Sequence, residues 1–63
     1  MSGAFFQVLI DNEVTMIEKN RVITIEPYER GTRITMEASH TAEEPITYFT
    51  PEEYDKVMSS YLS

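Results

Sequence analysis

Three arginines and one tyrosine are the residues of this chain best suited to binding a ligand. Arg21, Arg30 and Arg33 lie close together in the sequence, and Tyr28 falls among them. A guanidinium group offers a fork of donors to a carboxylate or phosphate, and a tyrosine ring offers a stacking face. Repeated around a symmetric oligomer, these side chains would form a site for a small anionic ligand or signalling nucleotide.

The other polar residues do not form a catalytic pattern. His40 is the only histidine, cysteine is absent, and the two glycines, Gly3 and Gly31, form no phosphate-binding loop. The acidic clusters Glu43–Glu44 and Glu52–Asp55 lack the spacing of a calcium-binding loop. We therefore expect a protein that is not an enzyme and that carries neither a cofactor nor a metal site.

The segment from Val22 to Ala38 predicts the β-hairpin that would position the tyrosine and the arginines. Apolar and polar residues alternate on both sides of Arg30–Gly31, which is the period of strands with one buried face. A two-residue loop at Arg30–Gly31 would place all apolar residues on one face, Ile23 and Ile25 among them. A four-residue loop from Tyr28 to Gly31 does the same and spares Arg30 a positive φ.

The outward face of this hairpin is the first candidate binding surface. In the two-residue register Tyr28 lies opposite Arg33, which allows a cation–π contact. Tyrosine and arginine are also enriched among the residues that dominate binding energy at interfaces. The face comprises Thr24, Glu26, Tyr28, Arg33, Thr35 and Glu37, and the candidate binding residues are Arg21, Glu26, Tyr28, Arg30, Arg33 and Glu37.

Three further strands and one helix complete the predicted fold. The strands are expected at Ala4–Ile10, Val14–Ile17 and Pro45–Phe49. Thr50–Glu53 has the pattern of a capping box that opens a helix, with Phe49 and Tyr54 as a hydrophobic staple. The helix then carries one apolar stripe: Tyr54, Val57, Met58, Tyr61 and Leu62. The predicted fold class is α+β: a small antiparallel β-meander of four to five strands with one C-terminal amphipathic helix, in a single domain 1–63.

The size of the chain favours self-association. Its 63 residues can bury only a small core, and no disulfide can reinforce it. Small domains of this kind often gain stability by assembling, so we expect a homo-oligomer. The helix, the two-faced first strand or an edge strand would mediate it. The candidate self-association residues are Phe5, Leu9, Tyr54, Met58 and Tyr61.

The charge indicates which partners the chain can attract. Eleven acidic residues against five basic ones give a net charge of −6, which disfavours direct binding to nucleic acid or to an anionic membrane. It suits a basic protein partner, and an aligned acidic band would even mimic a nucleic-acid backbone. The residues of this band are Glu13, Glu18, Glu26, Glu29, Glu37, Glu43, Glu44, Glu52, Glu53 and Asp55. The N-terminus lacks the basic segment of a signal peptide, and no apolar run approaches a membrane span, so we expect a cytoplasmic location.

The order of these motifs resembles the FlbD-type small flagellar proteins and related short phage-encoded proteins. The matching segments are Phe6–Ile10 followed by Asn12, Val22–Glu26, Thr32–Met36 and Pro51–Tyr54 at the predicted helix start. The resemblance implies the same meander and helix, and a structural or regulatory role.

We take the main hypothesis to be a small acidic interaction protein, including one encoded by a phage, that binds and modulates or inhibits a host protein. The ligand binder, the nucleic-acid mimic and the FlbD-like role remain alternatives.

Overall fold

The computed structural model describes residues 3–38 and 44–63. These residues form two antiparallel sheets and one helix. The first sheet pairs β1 (Phe5–Ile10) with β2 (Glu13–Glu18). The second has the order β3 (Val22–Tyr28), β4 (Gly31–Met36), β5 (Ile46–Thr50), and helix α1 (Tyr54–Leu62) ends the chain. The predicted α+β meander with a C-terminal helix is confirmed. The sequence also predicts a polar loop over residues 39–44, which contains His40, and most of this loop lies outside the described residues.

The β1–β2 hairpin turns through Asp11 and Asn12, whose φ angles are 53° and 66°. Positive φ at both loop positions is typical of the type I′ turn, and Asp and Asn tolerate it better than most residues. The turn pairs Leu9 with Val14 and Phe6 with Ile17. A short 3₁₀ turn, Lys19–Arg21, then leads into the second sheet.

The β3–β4 hairpin turns at Glu29–Arg30, so that Tyr28 pairs with Gly31 and Ile25 with Ile34. This is the register of the predicted four-residue loop, in which Tyr28 and Gly31 form one further pair. The predicted two-residue loop at Arg30–Gly31 is wrong. Gly31 does not adopt a positive φ. A Cβ added to it would overlap the carbonyl oxygen of Thr50, so this position needs glycine because β5 approaches so closely.

A β-bulge interrupts the same hairpin near the start of β3. Val22 pairs with Met36 and Thr24 with Thr35, which leaves Ile23 as an extra residue. Val22 packs against the core, whereas Ile23 is 49% exposed. The predicted burial of Ile23 is therefore wrong, because a bulge shifts the alternation of faces by one residue.

The helix begins at Tyr54, later than the capping pattern predicts. Thr50 is the buried last residue of β5, where it pairs with Thr32, and its Oγ1 accepts the N–H of Glu52 at 3.3 Å. Glu53 is the N-cap residue and makes no side-chain capping bond. The capping box and the staple are thus wrong, because residues 51–53 after Thr50 are not helical and Glu53 takes the N-cap position.

The core lies between the two sheets and the helix. Helix α1 packs against β1, β3 and β4, and β1 lies beside β5. Of the predicted helical stripe, Val57 is buried, Tyr54, Met58 and Tyr61 are partly buried, and Leu62 is 71% exposed. The buried apolar residues are Phe6, Val8, Ile17, Ile34, Met36 and Val57.

Candidate functional site

The outward face of the three-stranded sheet carries a row of three residues, one from each strand. Arg33 on β4 pairs with Glu26 on β3 and with Phe49 on β5. Side chains directly opposite each other in antiparallel strands point to the same face. Because Ile34 on β4 is fully buried, its neighbour Arg33 must lie on the side away from the core. The row therefore faces outward.

Arg33 is held in this row by its partner on β3. Its Nε and Nη2 donate to the same oxygen, Oε1 of Glu26, at 3.1 Å and 2.7 Å. Its Cζ lies 5.4 Å from the centroid of the Tyr28 ring, within the range of a cation–π contact. The predicted direct pairing of Tyr28 with Arg33 is wrong, since Tyr28 pairs with Gly31. The contact nevertheless forms along the diagonal of the ladder.

Two exposed aromatic rings complete the surface. The centroids of Tyr28 and Phe49 are 5.1 Å apart with the ring planes inclined at 50°. Tyr28 is 42% exposed and Phe49 is 52% exposed. We call the four residues Glu26, Tyr28, Arg33 and Phe49 the aromatic face. It combines two apolar rings and a positioned guanidinium group on a regular sheet.

A shallow depression of about 510 Å³ adjoins the aromatic face at the turn end of the sheets. Tyr28 and Phe49 form part of its wall, and the exposed Arg30 contributes from the β3–β4 turn. The β1–β2 turn contributes Asp11 and Asn12, so the depression holds charges of both signs.

Arg21 and Glu37 lie apart from the aromatic face. Nη2 of Arg21 donates to the backbone carbonyl of Glu37 at 2.7 Å, and its Nη1 lies 3.7 Å from Oε1 of Glu18. The backbone N–H of Glu37 in turn donates to the carbonyl of Arg21 at 2.9 Å. Of the six predicted binding residues, the structure therefore brings Glu26, Tyr28 and Arg33 into mutual contact, places Arg30 beside them, and pairs the other two elsewhere.

Of the predicted self-association residues, one is exposed and four are partly buried. Phe5 is 49% exposed on the outward side of β1. Tyr61 packs edge-on against Phe6 with the ring centroids 5.4 Å apart, so part of its surface is used within the chain. Leu9, Tyr54 and Met58 are partly buried.

Phe49 and Glu52 have roles that the sequence analysis missed. The alternation in Ile46–Thr50 places Phe49 on the face opposite Tyr48, and this signal was available once β5 was paired with β4. Glu52 was interpreted as a helix-start residue. Its Oε1 instead accepts the backbone N–H of Leu9 at 3.0 Å, and its Oε2 lies 3.0 Å from Nζ of Lys56. No local sequence pattern predicts that long-range bond.

The environment of Glu52 keeps its carboxylate charged. Burial raises its pKa, but the hydrogen bond from Leu9 N–H, together with the hydrogen bond and the positive charge of Lys56, outweighs that effect. The net result is a pKa below the ordinary value for glutamate. The carboxylate therefore serves the fold as a charged acceptor.

The acidic band is partly neutralised within the chain. Glu18, Glu26 and Glu52 form ion pairs with Arg21, Arg33 and Lys56 respectively. Glu43 of the predicted band lies outside the described residues. The remaining described members are Glu13, Glu29, Glu37, Glu44, Glu53 and Asp55.

Within residues 3–38 and 44–63, no helix has the length and apolar character needed to cross a membrane. No family model, curated protein or solved structure matches the chain. The likeness to FlbD-type proteins therefore stays an expectation from the sequence, and the surface itself must carry the argument about function.

Proposed function

We propose that the chain is a small, non-enzymatic interaction protein that binds a partner protein through the aromatic face. The observation that carries this proposal is the exposed pair of rings, Tyr28 and Phe49, packed on each other beside Arg33. Aromatic and arginine side chains dominate the binding energy of many interfaces, and here they form one patch. Occupying the partner's surface in this way would modulate or inhibit the partner.

The preorganisation of the patch supports the same proposal. Arg33 is positioned before any partner arrives, because two of its nitrogens bond to Glu26 and its guanidinium lies over Tyr28. Side chains that are already ordered lose less conformational entropy on binding, which favours affinity. The core and the helix lie on the other side of the sheet, so the patch is open to a partner.

The charge of the chain supports a basic partner. The net charge is −6, and Glu29 next to the patch is exposed. A negative field of this kind accelerates encounter with a positively charged protein and makes the rate sensitive to salt. We therefore expect the partner surface to combine an apolar pocket for the rings with surrounding lysines or arginines.

The alternative of a small anionic ligand receives less support from the arrangement. Arg33 is engaged by Glu26, and Arg21 bonds to the carbonyl of Glu37 away from Arg30. A site made from all three arginines would need contributions from different subunits, so this alternative depends on assembly.

The test is capture of a partner by tagged wild-type protein, from lysate of the organism that encodes the chain or of its host, followed by affinity measurement with the purified partner. We expect Phe49→Ala and Tyr28→Ala each to weaken binding at least about tenfold, in line with interface anchors. The matched control is Leu62→Ala, since Leu62 is an exposed apolar residue away from the sheet, 71% exposed at the end of the helix.

The control variant should bind within about twofold of wild type, because isolated exposed apolar residues contribute little. Melting temperatures of all three variants would be recorded, so that a loss of binding is not mistaken for a loss of fold. Equal binding by Phe49→Ala and wild type would reject the aromatic face as the binding surface.

A further inference from the structure

The free edges of the two sheets differ in how they are protected from pairing with another chain. An unprotected edge strand presents unpaired N–H and C=O groups, and proteins usually block such edges with proline, bulges, charges or covering segments. On the outer edge of β3, Pro27 offers no N–H, and the bulge at Ile23 breaks the regular spacing. This edge is therefore unsuitable for strand addition.

The edges of β1 and β5 lie next to each other within the fold. The N–H of Leu9, on the side of β1 away from β2, is already bonded to the carboxylate of Glu52. The chain after β5 continues through Pro51, so the residue that follows this strand has no N–H. Neither edge offers a continuous row of free backbone groups.

Among the described residues, the outer edge of β2 has neither a proline nor a bulge, and its charged residues, Glu13 and Glu18, stand at the two ends of the strand. Its pairing with β1 is regular from Glu13 to Glu18, and the strand contains no proline. Because a two-residue turn makes Ile10 and Glu13 a hydrogen-bonded pair, the alternation directs the backbone groups of Val14 and Met16 away from β1. The bond from Lys19 N–H to the carbonyl of Ala4 continues the same alternation.

Three side chains at or beside this edge are apolar and exposed. Val14 is 66% exposed, Met16 is 53% exposed, and Phe5 beside them on β1 is 49% exposed. In a chain with a net charge of −6, this is a surface where two copies can meet without opposing carboxylates in the centre. The small core, with six buried apolar residues in the described part of the chain, gives such an association a stabilising role.

We propose that β2 pairs with β2 of a second copy of this chain, antiparallel across a two-fold axis, to give a continuous four-stranded sheet. With the axis at Met16, positions equally far before and after Met16 pair with each other. Exposed side chains of one copy therefore lie beside exposed side chains of the other, on the same face of the joined sheet. Glu13 of each copy then lies opposite Lys19 of the other, the residue that follows β2, so opposite charges meet at both ends of the paired segment. Lys19 Nζ donates to the carbonyl oxygen of Ser63 at 2.8 Å within its own chain, and an ammonium group has further donors for the partner's carboxylate. This surface is separate from the aromatic face, so the proposal stands independently of the proposed function.

The absence of cysteine from the chain allows a direct test of this geometry. Residues paired across a two-fold axis at a hydrogen-bonded position have Cα atoms about 5.5 Å apart, which suits a disulfide. Met16→Cys should therefore form a disulfide-linked dimer under mild oxidation at least about tenfold faster than Leu62→Cys. Leu62 is the control because it is more exposed than Met16 and lies on the helix.

Solution mass by light scattering over a concentration series gives the second measurement. We expect wild type and Leu62→Lys to reach the mass of a dimer, and Met16→Lys to stay monomeric with an unchanged far-UV circular dichroism spectrum. Wild type that stays monomeric at all concentrations, or equal oxidation rates for the two cysteine variants, would overturn the proposal. So would a Met16→Lys variant that still forms the dimer.

Discussion

The backbone N–H of Leu9 donates a hydrogen bond of 3.0 Å to Oε1 of Glu52, which joins the first strand to the segment before the helix. The other oxygen of the same carboxylate bonds to Lys56 in the first turns of the helix. The backbone carbonyl of Glu52 accepts a bond of 2.8 Å from Oγ1 of the buried Thr32. One residue thus connects β1, β4 and α1.

Replacing Glu52 should therefore destabilise the fold in a way that depends on pH. We expect Glu52→Ala to lower the free energy of unfolding at neutral pH by about 2 kcal/mol, since it leaves the Leu9 N–H without its charged acceptor. Glu52→Gln keeps an acceptor and should cost about half as much. Urea denaturation at a series of pH values measures both.

The direction of the pH effect follows from the lowered pKa of Glu52. A group with a lower pKa in the folded state adds stability above its unfolded pKa, and that stability is lost as the pH falls through the folded pKa. The difference between wild type and Glu52→Gln should thus be full near neutral pH and shrink below about pH 4. The control is Glu53→Gln, whose side chain makes no capping bond. A difference that grows in acid would contradict this role.

Gly31→Ala should be strongly destabilising although Gly31 has an ordinary φ. The added Cβ would overlap the carbonyl oxygen of Thr50 and lie 3.1 Å from Cα of Pro51, and both are backbone atoms that cannot rotate away. We expect a loss of about 2 kcal/mol or more in the free energy of unfolding, comparable with overpacked cores. Gly3→Ala is the matched control, since its nearest neighbours would be 3.7 Å away. Equal stability of the two variants would mean that β5 can move aside.

Ile34 and Ile23 lie on facing strands of the same hairpin, but truncating Ile34 should cost much more stability than truncating Ile23. Ile34 is fully buried, whereas the bulge leaves Ile23 49% exposed. We expect Ile34→Ala to cost about 2–4 kcal/mol by leaving a cavity, and Ile23→Ala to cost less than about 1 kcal/mol. Thermal and chemical unfolding of the pair tests whether the bulge exists in solution. A large cost at Ile23 would place that residue back in the core.

The Arg33–Glu26 pair should contribute little to stability while it shapes the aromatic face. Both side chains are partly exposed, at 39% and 46%, so solvent screens their attraction. A double-mutant cycle with Arg33→Ala and Glu26→Ala should give a coupling energy of about 0.2–1 kcal/mol, reduced by added salt. The same Arg33→Ala variant should lose partner binding. A large loss of stability in this variant would mean that Arg33 serves the fold instead.

Local patterns in the amino-acid sequence are enough to predict several elements of this fold. Asp11–Asn12 predicts a turn because these residues tolerate positive φ, and the alternation on both sides of Gly31 predicts paired strands. The amphipathic stripe around Val57 predicts a helix that packs on the sheets, and the structure buries that residue. The outward grouping of Glu26, Tyr28 and Arg33 also followed from period two.

Other features depend on which strands meet, and these arise only when the chain is packed. The turn lies at Glu29–Arg30, and β5 approaches the adjoining Gly31 so closely that no side chain fits there, a contact between residues distant in sequence. Thr50 stays in a strand because it pairs with Thr32, which delays the helix to Tyr54. Phe49 joins the aromatic face only through the β4–β5 register. Each of these outcomes balances a local preference against a long-range contact, and the balance is set only when the sheets and the helix pack together.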